Sequence, residues 1–267
     1  MHPGEVFADL HRVGEPLLLA NAWDVASAVA IAAARARAIA TTSAGVAWSL
    51  GVPDAAGLGA ERTAAVIGRI VAAVSVPVSA DIEAGYGDSP EAVAATVDAV
   101  VRAGAVGVNL EDRRDGASLF GISEQAERLA AARAAAGDVP VWINARTDVF
   151  LSGIYPSTAT GVAAALERAL AYQAAGADSL FVPGLVDLEA IAELAAGPLP
   201  VSVMVWPGAP TVPELTAAGA VRISLGSAIA QAAYGLAGRA ATEMFTDGTY
   251  DSSVNGFEYA AMNAAMS

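Results

Sequence analysis

The segment PVSADIEAGYGDSPEAVAATVDAVVRAGAVGVNLED, residues 77–112, holds two apolar runs joined by one stretch of helical composition, and both runs end in acids. PVSADIEAG (77–85) reads as a buried strand that closes with Asp81 and Glu83 before a glycine-rich turn. SPEAVAATVDAVVRAGA reads as a helix, and GVNLED (107–112) as a second strand ending in Glu111 and Asp112. Strand, helix and strand in this order imply parallel pairing through a right-handed crossover.

The unit recurs in both directions along the chain. Further apolar runs occur at LLLANAWD (17–24), AIATTSAG (38–45), VWINARTD (141–148), SLFVPG (179–184), VSVMVW (201–206) and RISLGS (222–227), giving eight in all. Between them lie helical stretches such as GAERTAAVIGRIVAAV, SEQAERLAAARAAAG, ATGVAAALERALAYQAAGA and DLEAIAELAA. Eight alternating units in 267 residues predict an α/β fold, a closed (β/α)8 barrel. A doubly wound open sheet is the rival if the strand count falls to five or six, but no Gly-x-Gly-x-x-Gly follows the first strand. Without a linker or composition shift, residues 1–267 read as one barrel domain, with 240–267 as a C-terminal helical extension. The FEYAAMNAAM helix in that extension is too short to stand alone and must pack on the barrel or a neighbouring subunit. The tripeptide Ala-Gly-Ala at 103–105, 175–177 and 218–220 marks helix C-caps.

Composition narrows the chemistry. There is no cysteine, so thiolate metal sites, disulfides and a cysteine nucleophile are excluded; all fourteen basic residues are arginine, so Schiff-base chemistry is excluded too. A net charge of −14 argues against nucleic acid or an anionic membrane as partner. MHPGEVFADLHRVGEP lacks the pattern of a secretion signal, and arginines break ASAVAIAAARARAIA short of a membrane span, so a cytoplasmic protein is expected.

Active sites of such barrels lie at the C-terminal ends of the strands. That rule gathers Asp24, Thr42, Ser43, Asp81, Glu83, Glu111, Asp112, Asn144, Arg146 and Asp148 on one face. Asp81 and Glu83 are separated by the strand period and share a side, as do Asn144, Arg146 and Asp148. Converging carboxylates repel unless a cation neutralises them, and with only His2 and His11 near the N-terminus the available ligands are oxygens. An all-oxygen site selects Mg²⁺, Mn²⁺ or Ca²⁺ over zinc, with Mg²⁺ the first choice. Arg146 beside such a cation suits a carboxylate or a developing oxyanion, and the small residues of TTSAGVAWSLG (41–51) offer backbone N–H groups. Together these describe a pocket for a small 2-oxo acid chelated to Mg²⁺. Plainer readings stand beside these: Asp24 as an N-cap, Asp54 as a turn residue, and Asp112 and Asp148 as partners of Arg113, Arg114 or Arg146. Tyr86 reads as packing over the site, and Trp48 and Trp206 as covering its mouth or filling a subunit contact.

The order NAWD, TTSAGVAWSLGVPD, SADIEAGYGD, NLED, NARTD and FVPG resembles the isocitrate lyase/phosphoenolpyruvate mutase superfamily over roughly residues 15–235. The resemblance implies a (β/α)8 barrel that binds Mg²⁺, or Mn²⁺, and a 2-oxo acid or its enolate. It also implies a homo-oligomer, dimer or tetramer, whose last barrel helix is exchanged between subunits. On the matching positions, Asp81 stands for the acid nearest the metal and Glu83 and Glu111 for acids that hold its waters. Arg146 stands for the arginine on the substrate oxygens, Ser43, Ala44 and Gly45 for the segment gripping the substrate carboxylate, and Asp54 for an aspartate near the reacting end. The family more often has Ser-Gly-Gly or Ser-Gly-Leu where this chain has Ser-Ala-Gly. After NLED the chain reads RRDGASLFGISEQAERL, without the cysteine-bearing loop of the lyases or the Lys-x-Asn-Ser pattern of the mutase gate. FVPG likewise has neither the histidine of the mutases nor the glutamate of the lyases. The reading that follows is a Mg²⁺-dependent C–C lyase or decarboxylase working through an enolate. The alternatives are P–C bond chemistry of the phosphonopyruvate type, and a barrel that binds a 2-oxo acid without catalysis.

Overall fold

The computed structural model describes residues 1–266. Its elements are α1 (Pro3–Ala8), β1 (Leu17–Leu19), β2 (Asn21–Ala22), α2 (Val25–Ala33), β3 (Ile39–Thr41), α3 (Ser43–Ser49), α4 (Ala60–Ala73), β4 (Val78–Asp81), α5 (Pro90–Arg102) and β5 (Gly107–Glu111). They continue with α6 (Ile122–Ala136), β6 (Trp142–Arg146), α7 (Thr158–Ala174), β7 (Ser179–Phe181), α8 (Leu188–Ala195), β8 (Val201–Met204), α9 (Val212–Ala217), β9 (Ala220–Ser224), α10 (Ala228–Thr246) and α11 (Tyr259–Ala265).

All strands pair in parallel, in the order β1-β9-β8-β7-β6-β5-β4-β3-β2. Only Ala20 separates β1 from β2, so the two ends of that order are two halves of one barrel strand and the sheet closes on itself as eight staves. The expected barrel is therefore the observed one. Its strands are shorter than the apolar runs that announced them. The ends of three runs leave the ladder to build the mouth: Asp24 caps α2, Ser43 opens α3, and residues 82–85 form a turn.

Alternation along the strands divides the core. Ala80, Ile82, Val108, Leu110, Ile143, Leu180, Val201 and Val203 face outward and pack under Val93, Val97, Leu129, Ala165 and Ile191 of the helices. The inward face is polar. Arg222 on β9 donates to Asn109 Oδ1 on β5 at 3.1 Å, a bond between strands that are not neighbours and so one that crosses the interior. Asn144 Nδ2 donates to the same oxygen at 2.8 Å, and Ser179 Oγ donates to Asn144 Oδ1 at 2.6 Å. Below this network Phe7 and Leu10 plug the barrel against Leu17, Leu19, Ala38 and Ala40. The bottom is thus closed by apolar side chains, and the interior opens only toward the C-terminal ends.

The Ala-Gly-Ala tripeptides do cap helices. Gly104 (φ 98°) and Gly176 (φ 92°) are left-handed; after α5, Gly104 N–H donates to Val101 O at 2.9 Å and Ala105 N–H to Val100 O at 3.0 Å. A Cβ on Gly104 would lie 2.7 Å from Val71 Cγ1. Gly104→Ala should therefore cost about 2 kcal/mol, seen as a fall in Tm of about 4–8 °C, and an unchanged Tm would contradict this assignment.

α10 departs from the usual barrel helix. Ala230 is its one buried residue, while Met244 is 59% and Phe245 80% exposed. Tyr234 near its start meets Trp23 and Trp48 at ring-centroid distances of 6.2 and 6.4 Å. α11 returns to lie against α2. No helix among the described residues is long and apolar enough to cross a membrane.

Candidate active site

The mouth is built from the ends of β3, β4, β5 and β6. Asp81 ends β4 opposite Asn109, and Glu111 ends β5 opposite Arg146. Asp81 is held from one side only: its Oδ2 accepts from Ser43 N–H at 3.0 Å and Ser43 Oγ at 2.9 Å. Its Oδ1 is buried with no partner. Thr41 Oγ1 accepts the Asp81 amide at 2.9 Å, so backbone and side chain are both fixed by the TTS segment.

Glu83 and Tyr86 follow in a turn where both residues have positive φ, 50° and 54°. A non-glycine residue pays for that conformation in strain, so something must hold it. Arg128 on α6 supplies the hold, donating to the carbonyls of Ala84, Gly87 and Asp88 while its guanidinium stacks 4.0 Å from the centroid of Phe120. Thr63 Oγ1 donates to the Tyr86 hydroxyl at 2.8 Å, and that hydroxyl is near enough to Glu83 to oppose the rise of its pKa. Tyr86 is therefore a partner of an acid in the site as well as packing.

Arg146 lies between two acids. Nε and Nη2 donate to Asp148 Oδ1 and Oδ2 at 2.6 and 2.9 Å, and Nη1 is 2.8 Å from Glu111 Oε2. Asp148 is thus a partner of Arg146, as one of the plainer readings had it. Asp112 is not: it turns away from the mouth, accepting from Tyr172 at 2.9 Å and Asp148 N–H at 2.9 Å and pairing with Arg168 at 3.1 Å. Its partner comes from α7 because the residue after Glu111 points to the opposite side of the strand. Asp24 also leaves the site, accepting Ser27 N–H at 2.7 Å as the N-cap of α2. Asp54 sits in the loop after α3, within electrostatic reach of Asp81, Arg146 and Arg113. The amides of Ala44 and Gly45 stand in the first turn of α3, ahead of the first bond within that helix, Val46 N–H to Thr42 O at 3.0 Å. Gly45 itself is required by packing, since a Cβ there would lie 2.8 Å from Trp23 Cβ.

The acids feel one another. Burial, then the charges of Asp81 and Asp54, push Glu83 up to about 7. Burial raises Glu111 as well, with Arg146 opposing and Asp148, Asp81 and Glu83 adding to the rise. Desolvation in its loop and the charge of Asp81 raise Asp54. Burial works against the charge of Arg146, but Glu111 and Asp148 more than reverse it.

Among the described residues no three histidine or acidic side chains converge tightly enough to enclose an ion by themselves. The arrangement fits a cation held more loosely: one buried carboxylate oxygen without a partner, and two neighbouring acids, Glu83 and Glu111, of which only Glu111 has an arginine partner. Asp81 would bind such an ion directly, and Glu83 and Glu111 through water, as suits Mg²⁺. The proton linkage has a definite sign. The folded protein holds the Glu83 and Glu111 protons more tightly than the unfolded chain does. Their contribution to stability is thus complete below the ordinary carboxylate range and is lost as pH rises, for Glu83 through about 7. Metal-free protein should lose on the order of 1–3 kcal/mol between mildly acidic and mildly alkaline pH, and added Mg²⁺ should raise Tm more on the alkaline side. Equal Mg²⁺ stabilisation at both ends would count against the linkage.

Sequence reasoning missed Arg128, Arg168 and Arg222. The signal available was a charged residue at a buried helix or strand position, as with Arg128 three places after the buried Gln125.

An acid-lined (β/α)8 barrel with an arginine at the mouth defines an enzyme class. The profile of the family described as phosphoenolpyruvate phosphomutase matches residues 7–245. An uncharacterized protein of Mycobacterium tuberculosis is 39% identical over 226 residues, 83% of this chain and 81% of that one. The 2-methylisocitrate lyase of Escherichia coli is 32% identical over 195 residues, 70% of this chain and 64% of its own length. An oxaloacetate decarboxylase of Rhodopseudomonas palustris is 34% identical over 161 residues, 57% of this chain and 53% of its own. A crystal structure from Burkholderia cenocepacia, provisionally named a lyase/mutase, superimposes with a TM-score of 0.87 at 38% identity, covering 98% of this chain and 94% of that one. A phosphonopyruvate hydrolase solved with oxalate and Mg²⁺ shares the fold at 22% identity, TM-score 0.84, over 100% of this chain and 95% of its own. The chain belongs to the isocitrate lyase/phosphoenolpyruvate mutase superfamily, whose members are lyases and mutases acting on small acids.

Proposed function

We propose that this barrel is a Mg²⁺-dependent lyase or decarboxylase that cleaves the C3–C4 bond of a small 2-oxo acid, leaving the enolate of the 2-oxo fragment. The observation that carries the reading is the partnerless, buried Oδ1 of Asp81 at the mouth, with Glu83 and Glu111 raised beside it. The oxaloacetate decarboxylase and 2-methylisocitrate lyase among the relatives support it, as does the Mg²⁺ in the phosphonopyruvate hydrolase.

Mg²⁺, or Mn²⁺, would supply Lewis-acid polarisation of the substrate's keto and carboxylate oxygens. The chain's own residues do the rest. Ser43 holds Asp81 by one oxygen and leaves the other for the metal, and the amides of Ala44 and Gly45, in the first turn of α3, can donate to a substrate carboxylate. Arg146, locked by Asp148, adds fixed positive charge where the keto oxygen becomes an enolate oxygen. Asp54, its pKa raised, would deliver a proton to the enolate carbon, taken from the 4-hydroxyl in a retro-aldol cleavage and from solvent in a decarboxylation.

The test is a proton NMR time course with oxaloacetate, 4-hydroxy-2-oxo acids and phosphonopyruvate, each with Mg²⁺ and with EDTA. Metal-dependent loss of one 2-oxo acid with release of a smaller 2-oxo acid is expected. Absence of turnover of every compound would reject the reading.

We also propose that α10 docks on a second copy, giving a homo-oligomer. A helix with one buried residue and exposed Leu236, Met244 and Phe245 leaves apolar surface uncovered. Light scattering should give a multiple of 26.6 kDa, and Phe245→Glu should lower it; a monomeric parent protein would end the proposal.

A further inference from the structure

The charges around Arg146 leave it little capacity for an anionic group beyond the enolate oxygen. Two of its nitrogens are committed to Asp148 and the third to Glu111, so this wall of the mouth carries two acids and one base. A substrate with a second anionic group, beyond the end that meets the metal, needs another cation.

Arg113 is placed to be that cation. It follows the β5 acids directly, and its Nη1 lies 3.5 Å from Asp148 Oδ2, too far for a good hydrogen bond, with its side chain 38% exposed. Its charge is felt at Asp54, in the loop after α3. The Nε donates to Gly116 O at 2.8 Å, so the Nη1 and Nη2 edge of the fork is not taken up by its own loop. The loop is bonded to itself: Arg113 bridges Leu119, Arg114 N–H donates to Ser118 O at 3.0 Å, and Phe120 N–H donates to Asp112 O at 2.8 Å. Arg114, by contrast, is tied to Glu124 and stacked 4.4 Å from the centroid of Phe120. Of two adjacent arginines, one is pinned outside the mouth and the other is presented to it.

We propose that Arg113 is a specificity-determining residue that reads a second carboxylate on the substrate, distal to the 2-oxo acid end. A guanidinium held at Nη1 only by the long contact to Asp148, with Nη2 in no ion pair or hydrogen bond among the described residues, can meet a carboxylate two-pronged, and the self-bonded loop spares it the ordering cost of a mobile lid. This rests on the reading of the site as one for 2-oxo acids.

The experiment compares two probes by calorimetry in the presence of Mg²⁺. Oxalate fills the 2-oxo acid end only; 3,3-difluorooxaloacetate carries the same end plus a distal carboxylate. Arg113→Gln should weaken difluorooxaloacetate about tenfold or more and oxalate by less than about twofold. Arg113→Lys, which keeps the charge but not the fork, should recover part of the loss, and Arg114→Gln should leave both probes unchanged. Equal weakening of both probes, or of neither, by Arg113→Gln would overturn the inference. So would Arg113-dependent binding of phosphonopyruvate tighter than that of difluorooxaloacetate, which would make the distal group a phosphonate. If the parent protein bound neither probe, the reading of the site itself would fail instead.

Discussion

Asp81→Ala should abolish Mg²⁺-dependent turnover, by on the order of 10³-fold or more, and with it the Mg²⁺-induced rise in Tm. The two losses share a cause. Oδ1 is the buried oxygen of this site left without a protein partner, while Oδ2 is fully used by Ser43. Removing the carboxylate would delete the proposed direct ligand and leave the Ser43 amide and hydroxyl unpaired, which costs the apo protein only about 1–2 kcal/mol. The apo fold should therefore survive, so that circular dichroism and thermal melting without metal separate a lost site from a lost fold. The Asp81 charge is also the second cause of the rise at Glu83, so in Asp81→Ala the carboxyl of Glu83 should titrate below about 7. A variant that kept its Mg²⁺ response would move the metal elsewhere.

Arg146→Met should be as severe, and for a second reason. Glu111 is 8% and Asp148 0% exposed, and Arg146 is what neutralises them. Removing one partner from a buried ion pair costs about 3–5 kcal/mol, because the remaining charge stays buried. Tm should fall by about 6–20 °C, and turnover should be lost even where the protein is folded. Lowering pH should restore part of the stability by protonating Glu111, whose pKa is already raised. Arg146→Lys keeps a charge but cannot grip both oxygens of Asp148, so it should recover more stability than activity. Retention of full activity by Arg146→Met would remove Arg146 from the chemistry.

The barrel was legible because its outward strand face is apolar and sits under helices, leaving eight separate runs that periodicity can count. The acids were legible because they end those runs: Asp81 and Glu83 two apart, Glu111 at the end of NLED, Arg146 within NARTD. What stayed hidden acts across distance. Arg128 was part of a helix, and nothing local says that it spans to the carbonyls of a turn some forty residues earlier. Arg222 stood at the start of an expected strand over 222–227, whereas β9 begins at Ala220 and sets Arg222 beside Leu17 and Ser202, facing inward. The partner of Asp112 was assigned by nearness in sequence, and the fold chose Arg168, fifty-six residues on.

The self-bonded loop at 113–119 also bears on timing. In barrels whose active-site loops swing shut, closure commits the bound substrate, and reopening often limits turnover. A loop so bonded is expected to leave the mouth open, so that bond cleavage rather than reopening would set the pace of the proposed reaction. Solvent viscosity would then leave kcat untouched, while an isotope in the broken bond would be expressed in full.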